Sequence, residues 1–348
     1  MSVNLKPLAE QVMVITGATS GIGLVTARKA ARRGAKLVLA ARNEDALDKL
    51  VWELKEQGGE VLPVAADVGV EGEVHKIEAE ALHRFGNFDT WVNNAGVSIY
   101  GKLLDVSIED FHQLFATNFW GVVYGSLVAA RNLKLYGGAI VNIGSVLSDV
   151  SLPLQGMYSA SKHAVKGFTD ALRMELEAEE APVSVTLIKP SAINTPYKDH
   201  AKNYLKVEPT NPPPVYAPDT VANAILHCAE HPVRDVFVGA GGKLMSMMGE
   251  YAPRLSDTFM ENVMIDAQKT DEPTNGRSKE GLWASHDASL RERGDYDGHV
   301  AESSLYTKAS LHPAITGTVA AGAALAVGAG LAYSISRMNS SRRDPDLP

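Results

Sequence analysis

Eight residues, Thr16-Gly17-Ala18-Thr19-Ser20-Gly21-Ile22-Gly23, join a short β-branched run, Val12-Met13-Val14-Ile15, to a helical pattern from Leu24 to Arg33. A strand, a glycine-rich turn and a helix in that order admit few folds. The glycines let the backbone come close to another group, and the helix that follows turns its N-terminal N–H groups toward an anion. Taken alone, the stretch is also compatible with a tight turn that binds nothing.

The rest of the chain favours the anion. Apolar strand patterns at Lys36 to Ala40, Val61 to Ala65, Phe88 to Val92, Ala139 to Ile143 and Val183 to Ile188 alternate with helical patterns. That alternation predicts an α/β fold, a doubly wound parallel sheet of Rossmann type with helices on both faces. In such sheets ligands bind outside the carboxyl ends of the strands. A last strand is expected at Val236-Phe237-Val238, after a helix from Thr220 to Glu230.

Several residues fall at those strand ends. After the second strand come Ala41 and Arg42, where an acid would favour a free ribose 2′-hydroxyl. A guanidinium there pairs instead with a 2′-phosphate, which predicts NADP(H). The alternatives are a solvated Arg42 and an NAD-using chain. Asp67 is placed either to bond an adenine amino group or to cap the helix Glu71 to Phe85. Asn93 is placed to bridge strand ends, and Ala95 and Gly96 leave room for a ribose. Asn118 lies in an apolar helix expected from Ile108 to Leu133, where an amide needs hydrogen-bond partners.

Ser145 closes the fifth strand pattern, and Tyr158 and Lys162 follow on a helix. Four residues apart, the phenol and the ammonium share a helical face. The ammonium is expected to lower the phenol's pKa toward working pH and so suit it to acid/base work. The same spacing also occurs on ordinary solvated helices, so the pair gains meaning only beside a cofactor cradle.

In order and spacing, Thr16-Gly17-x-x-x-Gly21-x-Gly23, Asn93-Asn94-Ala95-Gly96, Asn118, Ser145, Tyr158 and Lys162 resemble the short-chain dehydrogenase/reductase family, over roughly residues 8–250. The form of the glycine motif resembles its compact branch. The resemblance implies an oxidoreductase that moves hydride between a nicotinamide and a carbonyl or secondary alcohol carbon. Tyr158 would be the acid/base, and Ser145 would stabilise charge on the substrate oxygen. Lys162 would hold the nicotinamide ribose and tune Tyr158, while Asn118 would hold a water in a proton relay to Lys162. Gly17, Thr19, Ser20, Gly21, Ile22 and Gly23 would cradle the pyrophosphate. Asp67 would meet the adenine, Asn94, Ala95 and Gly96 the ribose side, and Thr195 the cofactor after the sixth strand. A homodimer or homotetramer is implied as well. Two positions depart from the family's pattern: Ser191 stands where a glycine is usual after Pro190, and Ser20 where NADP-preferring members often carry a base.

The bulk numbers agree with an enzyme. A net charge of −8 gives no reason to expect nucleic acid. The single cysteine, Cys228, excludes an internal disulfide and fits a reducing compartment. The N-terminal residues lack the apolar core of a signal peptide, so a cytoplasmic catalytic domain is expected. His227-Cys228-Ala229-Glu230-His231 spells an inverted zinc-protease pattern, but Pro232 ends that helix. No metal is expected.

The domain reading is a catalytic domain at 1–250, a polar linker at 251–312, an apolar helix at 313–337 and a tail at 338–348. Pro196 to Pro218 reads as a long lid, and Met245 to Gln268 as a Met-rich helix bordering the pocket. Lys269 to His312 reads as a flexible tether. Ala314 to Ile335 is uncharged and about long enough to span a bilayer, which predicts membrane association and a lipophilic substrate. Its Ala and Gly content makes a docked helix the alternative. A chain that binds NADP without turnover, as a sensor or tethered interaction protein, is the competing function. It has no use for the Asn118, Ser145, Tyr158 and Lys162 set.

Overall fold

The computed structural model describes residues 3–274, 281–284, 290–312 and 316. Met1–Thr307 forms one compact unit and Lys308–Pro348 a second, of which 308–312 and 316 are described. The expected apolar helix Ala314 to Ile335 lies, apart from Thr316, outside the described residues. Among the described residues no helix is long and apolar enough to cross a membrane.

Seven parallel strands form the central sheet: β1 (Val12–Thr16), β2 (Lys36–Ala41), β3 (Val61–Ala65), β4 (Thr90–Asn93), β5 (Gly138–Ile143), β6 (Val183–Pro190) and β7 (Asp235–Val238). Their order across the sheet is β3-β2-β1-β4-β5-β6-β7. The strand order therefore reverses direction between β1 and β4, the place where such sheets open a crevice. β1, β5 and β6 are buried along their whole length, which explains why they read as largely apolar runs. Register is parallel and unbroken, from Val12 opposite Lys36 to Thr16 opposite Ala40, and from Gly138 opposite Val183 to Ile143 opposite Ile188.

Helices cover both faces: α1 (Gly21–Arg32), α2 (Glu44–Glu56), α3 (Glu71–Phe85), α4 (Ile108–Phe115), α5 (Gly121–Tyr136), α6 (Gly156–Ala178) and α7 (Pro218–Glu230). A buried amide network ties sheet to helices. Asn93 donates to Asn142 at 2.8 Å and to Ser126 at 3.0 Å, and Asn142 donates to Thr169 at 3.0 Å. Asn93 thus bridges β4 and β5, as its strand-end position predicts.

Four sequence expectations change. The helix expected from Ile108 to Leu133 is α4 and α5 joined by a π turn, Ala116–Trp120. The turn carries Asn118, and such π turns inside helices are frequent at functional sites. Asp67 does not cap α3, since Val70 is the N-cap residue and the Asp67 carboxylate accepts from the Gly69 N–H at 2.9 Å. The Met-rich helix is broken into α8 (Ala240–Tyr251) and α9 (Pro253–Phe259), followed by a π turn at Met260–Met264. Pro253 lacks the N–H that a continuing helix needs and opens the next one instead.

The fourth change is the largest. The lid and the tether both pair with other chain. Ala201–Asn203 pairs with Ser98–Tyr100, and Val207–Pro209 with Lys269–Pro273. Val215–Tyr216 lies between Ala192–Ile193 and Val300–Ala301. The described residues of 269–307 are therefore part of the first unit. Backbone hydrogen bonding does not require apolar side chains, so a polar composition hid these pairings.

Candidate active site

The glycine turn builds the first half of the site. Gly17 has φ +65°, and a Cβ there would stand 2.8 Å from the Ala95 Cα. A Cβ on Gly23 would stand 2.1 Å from the Gly17 carbonyl oxygen. Only glycine permits either approach. The Asn94 side chain then fastens the turn by donating to the Thr16 carbonyl at 2.9 Å and the Gly17 carbonyl at 3.2 Å.

The result is a cleft of about 180 Å³ over the carboxyl ends of β1, β2 and β4. It brings together the expected Gly17, Thr19, Ser20, Gly21 and Ile22 with Arg42 and Asp67. Asn94, Ala95, Gly96 and Thr195 complete the expected set. Gly23 stays beneath the turn, packed on Gly17. The cleft also holds Thr117, whose buried hydroxyl has no hydrogen-bond partner among the described residues. An orphaned hydroxyl and a glycine cradle at a helix N-terminus fit a dinucleotide.

Arg42 is half-buried at the end of β2. Burial pulls its pKa down and the Asp67 charge opposes that. Its guanidinium is held by two backbone carbonyls. Nη2 donates to the Gly281 carbonyl at 2.5 Å and Nη1 to the Leu282 carbonyl at 3.2 Å.

The second half of the site lies beyond β5. Ser145 follows that strand and caps a single 3-10 turn, its Oγ accepting from the Leu147 N–H at 3.1 Å. Tyr158 and Lys162 occupy the first two turns of α6. Ser145, Tyr158 and Lys162 line one cavity of about 360 Å³. Its wall is otherwise largely apolar, with Leu147, Leu152, Met245, Phe259 and Met264. The Met-rich segment thus borders the pocket as expected. Ile22, Asn94, Gly96, Thr195 and Tyr197 line both the cleft and the cavity.

Lys162 does not lower the Tyr158 pKa in this structure. Burial dominates and pushes the Tyr158 phenol up, opposed by the Tyr197 and Ser145 hydroxyls. The Lys162 ammonium points to the Ile143 carbonyl at 2.8 Å and lies 5.6 Å from the Tyr158 ring centroid. Burial also pulls Lys162 down, to about 8. Both groups are desolvated, and each drifts toward its neutral form.

Asn118 lines neither space. Fully buried, it accepts from the Val97 N–H at 2.8 Å and donates to the Val97 carbonyl at 2.9 Å and to Ser161 at 3.3 Å. It links the strand end after β4 to the helix that carries Tyr158 and Lys162. His227 and His231 face each other at 4.4 Å, but Glu230 turns to Arg33 at 2.8 Å and to the Leu8 N–H at 3.0 Å. The three side chains do not converge.

Sequence reasoning missed Tyr197. Its ring meets that of Tyr158 edge-on at 5.6 Å, and its buried hydroxyl has no hydrogen bond of good geometry among the described residues. No motif marks it. For Gly281 and Leu282, the adjoining Leu282-Trp283 pair in an otherwise polar stretch was the available signal.

Residues 11–205 match the short chain dehydrogenase family. An uncharacterized oxidoreductase of Bacillus subtilis (strain 168), YxnA, is 47% identical over 323 residues, which cover 92% of this chain and 90% of that protein. A short chain dehydrogenase/reductase from Burkholderia phymatum, solved in complex with NAD, is 28% identical with a TM-score of 0.64, over 73% of this chain and 96% of its own. An alcohol dehydrogenase from the archaeon Thermococcus sibiricus, complexed with 5-hydroxy-NADP, is 31% identical with a TM-score of 0.57, over 66% of this chain and 95% of its own.

Proposed function

The chain belongs to the short-chain dehydrogenase/reductase family and is an oxidoreductase of CH–OH and C=O groups; on that premise we propose that it uses NADP(H) to interconvert a lipophilic ketone and its secondary alcohol. The observation that carries this reading is the meeting of Ser145, Tyr158 and Lys162 in one apolar cavity that shares its wall with the glycine-lined cleft. A bound nicotinamide supplies or takes up the hydride.

The chain's own groups handle the proton. Burial keeps the Tyr158 phenol protonated at neutral pH, so it acts as a proton donor to a carbonyl oxygen. Ser145 donates to the same oxygen and stabilises the negative charge that builds on it. Lys162 holds the nicotinamide ribose and returns a proton toward Tyr158. Asn118, clamped by Val97 and Ser161, positions α6 and serves the relay to Lys162.

Arg42, with Ala41 in place of an acid, supports NADP(H) over NAD(H). The aliphatic and aromatic cavity wall supports a lipophilic substrate. Trp120, stacked on Tyr124 at 5.8 Å, and Leu127 about two turns further are exposed on one side of α5 and its π turn. That apolar strip supports association of two copies, which sedimentation velocity tests. Membrane association through Ala314 to Ile335 rests on its uncharged composition, and fractionation of the full chain against one ending before Ala314 tests it.

The experiment for the enzyme reading is a screen of ketones, 3-oxoacyl thioesters, steroids and retinoids that follows NADPH absorbance. Turnover of an apolar ketone with NADPH preferred over NADH supports it. Turnover of none, or a preference for NADH, contradicts it.

A further inference from the structure

Three residues, Gly281, Leu282 and Trp283, pack beside the end of β2, where Arg42 lines the cleft. Gly281 and Leu282 place their carbonyls on Nη2 and Nη1 of Arg42, at 2.5 and 3.2 Å. The Leu282 side chain is fully buried in a cluster with Val97, Val106, Phe111 and Leu114. The Trp283 indole N–H donates to the buried Asp110 carboxylate at 2.7 Å. A Cβ on Gly281 would stand 2.7 Å from the His200 Cα, so the segment lies directly on the loop after β6. Further along, the Leu290 N–H donates to the Thr19 carbonyl at 2.7 Å, and the Arg291 carbonyl accepts from the Gly21 N–H at 2.9 Å. Arg291 also pairs with Asp199.

Gly281 and Leu282 present neutral carbonyls to a guanidinium that is half-buried. A phosphate dianion presents the same fork with charged oxygens, and charge-assisted hydrogen bonds are roughly twice as strong as neutral ones. A free 2′-hydroxyl presents no charge and has no such advantage. We propose that Gly281-Leu282-Trp283 is a cofactor-sensing latch: a 2′-phosphorylated adenosine takes Arg42 from the two carbonyls and opens it, while a cofactor with a free 2′-hydroxyl leaves it shut. This rests on the reading of Arg42 as the 2′-phosphate partner. Opening the latch also frees the loop at Pro196–His200, whose Tyr197 lines the substrate cavity. The identity of the cofactor is thereby communicated to the substrate side.

The test uses the full chain carrying Leu282→Cys. The native thiol, Cys228, is fully buried and serves as the unreactive background in the parent protein. Labelling of position 282 by a maleimide is followed without nucleotide, with NADH, with NADPH and with adenosine 2′,5′-bisphosphate, while binding is followed separately by NADPH fluorescence. The latch predicts labelling faster by on the order of tenfold with NADPH and with the bisphosphate, and unchanged with NADH. NADPH that binds but leaves labelling unchanged or slowed overturns the latch and leaves the cofactor reading standing. Failure of NADPH to bind overturns both. If Leu282→Cys does not fold, hydrogen exchange of the 281–284 peptide in the parent chain reads the same opening: faster exchange with NADPH supports the latch, and unchanged or slower exchange overturns it.

Discussion

The Lys162 ammonium stands 5.6 Å from the centroid of the Tyr158 ring while donating to the Ile143 carbonyl at 2.8 Å. One residue therefore anchors the end of β5 and places a titratable group beneath the phenol. Burial lowers the Lys162 pKa from 10.5 to about 8. The folded protein releases this proton near pH 8, whereas the unfolded chain holds it until about 10.5. Between those values the unfolded state binds more protons, so this group makes stability rise with pH. Thermal unfolding of the nucleotide-free protein at pH 8 to 10, against Lys162→Met, should show that rise in the parent and a flatter profile in the variant.

Tyr197→Phe removes a hydroxyl that lowers the Tyr158 pKa. The rising limb of the pH profile for alcohol oxidation, which needs the phenolate, should move to higher pH. NADPH affinity should change little. An unmoved limb would mean that the two phenols are not coupled.

Arg42→Ala removes the cation proposed for the 2′-phosphate. Hydrogen bonds to charged groups are worth about 1.5–3 kcal/mol, so NADPH affinity should fall by roughly 10- to 100-fold. NADH affinity should stay within a few fold. Titration of both nucleotides by fluorescence checks this.

Gly23→Ala forces a methyl to within 2.1 Å of the Gly17 carbonyl oxygen and 2.7 Å of the Asn94 amide. Overpacking of this kind costs about 1–3 kcal/mol, which lowers Tm by several degrees in a chain of this size. The turn must shift to fit it, so dinucleotide binding should weaken as well. Calorimetry and nucleotide titration read the two effects separately.

The seven-stranded sheet was legible because β1, β5 and β6 are buried along their whole length and are largely apolar. The glycine turn and the placement of Ser145, Tyr158 and Lys162 at one cavity were legible because each is tied to a strand end or helix face. Other features depend on contacts between residues distant in the chain. Leu282 reaches Arg42 across 240 positions, and no local pattern encodes that pairing. The direction of the Tyr158 shift was misread for a related reason. Spacing gives the neighbour but not the burial, and here burial outweighs the neighbour.

The central claim is that Tyr158 passes the proton in a carbonyl reduction. The most direct measurement is kcat of Tyr158→Phe beside its NADPH affinity, on a ketone that the parent chain reduces. Acid/base groups contribute about 10²- to 10⁴-fold, so kcat should fall by at least about 100-fold. NADPH affinity should stay within a few fold. A variant that keeps the parent's kcat would contradict the account.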